Sequence, residues 1–139
     1  MSSASEAATI AYLDEIFGPG AGQKHIAFLA RIEHPALREM LHGYHALESD
    51  SAELSVAENY LLGVAVLCAT KSYGTAAMFT KTLLHLGVPR AKILTAVARL
   101  AMWVGGLHAV EATFHVQKAI DEYEAKGLAS LEAWFPEPK

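Results

Sequence analysis

An all-α fold is what this sequence predicts, and three observations predict it. Apolar residues recur at helical spacing along most of the 139 residues, and strand-like alternation is missing. Gly, Pro and capping residues punctuate the chain at intervals of one helix length. Together they predict a compact bundle of about six to seven helices in a single domain, residues 1–139, large enough to bury a core without disulfide or metal staples.

Ser5 reads as the cap of a first helix whose apolar face is Ile10, Leu13, Ile16 and Phe17, stopped by Gly18-Pro19-Gly20. A second helix follows from Gln23 to Ile32. Pro35 suits a first helical turn and opens a third helix running to Glu48, with Leu37, Met40, Leu41 and Tyr44 on one face. The acidic stretch ESDSAE is the loop after it. Ser55-Val-Ala-Glu58 is a capping box, and the run from Leu61 to Cys68 lacks a polar stripe, which predicts a core helix buried on all sides. Ser72 is the next N-cap, and that helix continues through Met78, Leu83 and Leu84 to a stop at Gly87. Pro89 starts a helix through Ile93, Leu94, Val97, Leu100 and Ala101 toward Gly105-Gly106. The last helix spans Leu107 to Lys126 and stops at Gly127, leaving a short tail.

The composition is 53% hydrophobic, high for a monomer of this size, so part of the apolar surface is expected to be buried against further copies of the chain. A formal net charge of -4 with scattered Lys and Arg argues against nucleic acid as a partner. The uncharged stretch from Tyr60 to Thr70 is too short for a membrane span. The first residues lack a basic n-region and hold Glu6 and Asp14 within the apolar pattern; a cytoplasmic protein without a signal peptide is therefore expected. Cys68 is the lone cysteine, which rules out an intramolecular disulfide, a Cys-x-x-Cys pair and a cysteine-rich zinc site.

The segment LSVAENYLLGVAVLCATKSYGTAAMFTKTLLHLGVPRAKILTAVARLAMWVGG has a Leu-Ser start, a buried helix, a turn, and a second helix ending in Leu-Gly-Val. A further helix then leads to an aromatic residue and Gly. This order resembles the core of the alkylhydroperoxidase D and carboxymuconolactone decarboxylase superfamily over residues 35–120. The resemblance implies an alkylhydroperoxidase-like fold, a symmetric homo-oligomer (trimer or hexamer) and a pocket near the turn into the Ser72 helix. Aligned without gaps, the peroxidase branch's Cys-x-x-Cys falls at Ser72 and Thr75, its histidine at Phe79 and its acidic residue at Tyr60, two residues after Glu58. The Cys-x-x-Cys is thus degenerate. Helix-terminal thiols form reactive thiolates, and a second thiol resolves the intermediate; Ser and Thr do neither.

Two constellations still carry chemistry. His108-x-x-Glu111-x-x-x-His115 places two imidazoles and a carboxylate on one helical face, a weak alternative metal site, while Lys118 and Glu122 continue that stripe as a solvated or subunit-interface face would. Around the implied pocket, Tyr60, Ser72, Tyr73, Thr75 and Phe79 offer hydroxyls and an apolar wall, with Trp103 as a further lining residue; the bland reading is a cap and core aromatics. His85 suits the last turn of its helix, and His34, His42 and His45 read as surface or interface residues.

The expected function is that of a carboxymuconolactone decarboxylase-like, cofactor-free, non-redox enzyme on a small carbonyl- or carboxylate-bearing molecule, a lyase or isomerase. Tyr60 and His108 are its expected catalytic pair, and Ser72, Tyr73, Thr75, Phe79 and Trp103 its binding residues. The alternatives are a non-catalytic ligand- or partner-binding protein and an antioxidant peroxidase using Cys68, a residue that otherwise reads as a small core hydrophobe.

Overall fold

A computed structural model describes residues 3–49 and 53–132. Every regular element among them is helical. They pack as two compact units, one up to Val56 and one from Ala57 onward.

The first unit holds α1 (Ser3–Phe17), α2 (Ala21–Ala30) and α3 (Pro35–Ser49). Ser5, expected as a cap, lies inside α1, which begins two residues earlier. Leu13 and Ile16 are buried as expected, while Ile10 and Phe17 are only partly covered. The Asp14 carboxylate accepts from the Gly22 amide at 2.7 Å, supplying from α1 the N-terminal cap that Gly20, which has no side chain, does not. A Cβ at Gly22 would stand 2.5 Å from the Ile10 carbonyl oxygen, so the two backbones approach where only glycine fits. The α3 face read as apolar leaves Leu37, Met40 and Tyr44 exposed.

The second unit holds α4 (Val56–Ala69), α5 (Tyr73–His85), α6 (Arg90–Ala98), α7 (Ala101–Val104), α8 (Gly106–Lys126) and α9 (Ala129–Glu132). Ser55 stands directly before α4, where the capping box puts it. The expectation that α4 is buried on all sides is corrected. Tyr60, Val64 and Cys68, four residues apart, face the core, whereas Leu62 and Val66 are exposed. An apolar helix with one partnered face still leaves its other face to solvent. The helix expected from Pro89 to Gly105 is broken into α6 and α7 by i→i−3 hydrogen bonds at Leu100, Met102 and Trp103, around the buried Leu100 side chain.

Helix α8 organises this unit by packing on α5, α6, α7 and α9. Its buried stripe is Ala109, Ala112, Val116, Ala119 and Ile120, with alanines letting neighbouring backbones come close. Lys81 of α5 donates to Glu122 at 2.7 Å and to the Ser130 carbonyl at 3.2 Å, tying α5, α8 and the chain before α9's end together. The buried Thr80 and Thr82 hydroxyls are satisfied by the Ala76 and Met78 carbonyls one turn back. No helix among the described residues is long and apolar enough to cross a membrane.

Candidate functional site

Helix α4 ends in a turn that the sequence disguises. Ser72 N–H bonds to the Leu67 carbonyl at 2.8 Å and Lys71 N–H to the Cys68 carbonyl at 3.2 Å, the paired bonds of a Schellman stop. The position between them takes φ 60°, a left-handed conformation where glycine is usual, and here it is Lys71. Its ammonium lies 3.6 Å from the Glu111 carboxylate of α8.

The histidine and carboxylate stripe of α8 docks on this same turn. His108 Nε2–H donates to the Cys68 carbonyl at 2.9 Å, so the neutral ring keeps its free lone pair on Nδ1. Glu111 meets Lys71. The His115 ring stacks on Tyr73 with centroids 4.1 Å apart and planes 12° from parallel. The stripe thus borders residues 68–73 as a seam in which His108 is half-buried while Glu111 and His115 stay exposed. Among the described residues, no three His, Cys, Asp or Glu side chains stand around one point as metal ligands do.

Tyr73 is the focus of the seam. Its hydroxyl oxygen is shielded from solvent and makes no hydrogen bond of good geometry. Desolvation first, and then the Glu111 carboxylate as acceptor and as negative charge, push the phenol above its usual range. The hydroxyl thus stays protonated at neutral pH and has a donor to offer.

The other expected site residues divide by position. Tyr60 is 2% exposed, with its ring 4.6 Å from Phe79, and a Cβ at Gly63 would press on that Phe79 ring at 2.9 Å. Both aromatics serve α4–α5 packing. Ser72 occupies the cap position of α5 without a side-chain cap bond; its hydroxyl is exposed, 3.4 Å from that of Thr70. Thr75 is half-buried. Trp103, expected against a pocket, is 80% exposed. Cys68 is fully buried, and burial pushes its thiol up to about 11. A shallow groove of about 500 Å³ runs along α8, lined by Phe114, Gln117, Lys118, Asp121, Glu122, Ala125 and Lys126, beyond the seam residues.

The first unit contains a cluster formed by His25 with His42 and His45, the latter two expected as surface or interface residues. His45 Nε2 lies 2.7 Å from His25 Nε2, and His45 Nδ1–H donates to Glu48 at 3.2 Å. The His42 Nδ1 atom is buried without a hydrogen-bond partner. Burial, then the His45 and His42 charges, lower His25 to about 4. The i, i+3 spacing of His42 and His45 was a signal for a shared face; His25, twenty residues before His45, carried none. Comparison with known proteins brings out no matching family model, no matching curated protein and no matching solved structure.

Proposed function

We propose that this chain is a non-redox, cofactor-free enzyme of the carboxymuconolactone decarboxylase-like kind, acting on a small carbonyl- or carboxylate-bearing molecule at the seam between the α4–α5 turn and α8. The observation that carries the proposal is the Tyr73 hydroxyl, shielded and held protonated beside the Glu111 carboxylate and the His115 ring. The seam lies at the start of α5, where the resembled family keeps its reactive residues.

In this reading the Lys71 ammonium binds a substrate carboxylate. Tyr73 O–H donates a hydrogen bond to a carbonyl oxygen as negative charge develops there, and Glu111 or His115 accepts the proton released from the neighbouring carbon. Tyr73 and His115 take the proton-handling roles first expected of Tyr60 and His108, because Tyr60 is core and His108 Nε2–H is spent on the Cys68 carbonyl. The exposed Leu107, Val110 and Phe114 run beside the seam residues on α8, with Met102 and Trp103 exposed on α7 just before them. A second copy of the chain seated on that apolar face excludes water from the seam, which strengthens its electrostatics.

Turnover of a panel of small keto acids and neutral ketones, followed by carbonyl absorbance and NMR, tests this. Tyr73→Phe is expected to lower kcat/KM by about 10²–10³-fold. Lys71→Gly, which suits the left-handed backbone, should raise KM for acids and leave neutral ketones unchanged. Saturable binding without turnover of any member would replace the enzyme by the ligand-binding alternative. Absence of both turnover and ligand-induced shifts at Tyr73 and His115 would remove the site.

A further inference from the structure

The three-histidine cluster of the first unit belongs to none of the chemistry above. His25 projects from α2, and His42 and His45 from one face of α3. We propose that His25 and His45 together bind one divalent transition-metal ion of the imidazole-preferring class, such as Zn²⁺, Ni²⁺ or Co²⁺.

Two geometric features support a metal over a plain hydrogen bond. First, the two Nε2 atoms face each other at 2.7 Å. Nitrogens at about 2.0–2.1 Å from a tetrahedral ion stand about 3.3 Å apart, so the rings need to part by only about 0.6 Å, a small side-chain rotation. Second, Glu48 accepts from His45 Nδ1–H, the outer carboxylate that sets a ligating histidine's tautomer and turns its Nε2 lone pair toward the ion. As they stand, no three of the described side chains surround one point. The two Nε2 atoms are therefore the protein's ligand pair, and water completes the shell.

The proton balance is simple. Without metal, His45 Nε2 accepts from His25 Nε2–H, since Glu48 already holds the His45 proton on Nδ1. On ligation His25 moves its proton from Nε2 to Nδ1, and both rings bind as neutral imidazoles with no net proton released.

The test uses the full chain, stripped with chelator and titrated with Zn²⁺ by calorimetry and with Co²⁺ by visible absorption. One ion per chain is expected, with a rise in Tm. His25→Gln and His45→Gln should each weaken binding at least tenfold, and Glu48→Ala about tenfold. In case either histidine variant misfolds, imidazole ¹⁵N shifts of the unmodified protein provide a second reading: Zn²⁺ must move the Nε2 signals of His25 and His45. No saturable binding overturns the proposal. So does binding that survives both histidine variants, binding that leaves those two rings unmoved, or binding abolished by His115→Ala but not by His25→Gln.

Discussion

Lys71 and Cys68 show how a single residue's surroundings decide its chemistry. Lysine at a left-handed C-terminal stop carries a steric cost that glycine avoids, and the charge it brings lies 3.6 Å from Glu111. Cys68, three residues earlier, is a thiol by element and a hydrophobe by position. With its pKa up at about 11, about one molecule in ten thousand carries thiolate at pH 7. We therefore expect a native-state reaction with a disulfide reagent at least a hundredfold slower than that of the denatured chain, and hydroperoxide turnover unchanged by Cys68→Ala. Prompt native labelling would restore the peroxidase alternative. The reading of Cys68 as a core residue was legible because it sits in an uninterrupted apolar run, whereas the partners of Tyr73 were not, since His115 is forty-two positions away and no local pattern links them.

At the scale of elements, two close approaches and one ion pair govern how helices meet. A methyl at Gly22 would meet the Ile10 backbone at 2.5–2.9 Å, which cannot yield without moving α1. At Gly63 the obstacle is the Phe79 ring, which can tilt. Gly22→Ala should thus cost about 3 kcal/mol and Gly63→Ala about 1 kcal/mol, and urea denaturation giving the reverse order would contradict the packing described. The Lys81 hydrogen bond, ahead of the opposing effect of desolvation, holds the Glu122 carboxyl below its usual range. A carboxyl with a depressed folded value stabilises fully above its unfolded value near 4.5 and loses that contribution as pH falls through the folded value. Between pH 5 and 3 the unmodified protein should lose stability faster than Glu122→Gln does, as followed by Tm. Helix boundaries set by glycine and proline stops were read well from the sequence. The break at Leu100 was not, because nothing local there forbids a continuous helix.

For the whole molecule, the unusual feature is what remains uncovered. Among the described residues, thirteen large apolar side chains are exposed, and Leu107 at 91% and Trp103 at 80% are more open than a monomer gains from. Self-association is the direct way to bury them, and five of the thirteen lie together on α7 and α8. Light scattering should report a mass above 15.0 kDa, and Leu107→Glu combined with Phe114→Glu should lower it with little loss of helicity. A monomer in the unmodified protein would refute this and open the seam to water.

Periodicity, caps and stops by themselves determined that the chain is helical and nearly where most of the longer helices begin and end, because those signals act within a few residues. Residue identity alone excluded a dithiol centre, since Cys68 is the lone cysteine. Only tertiary structure decided which helix face is covered, that His108, Glu111 and His115 close on the Cys68–Tyr73 turn, and that His25 meets His45. Contacts between residues twenty to forty-two positions apart arise from the order in which helices pack, and no short stretch of sequence encodes that order.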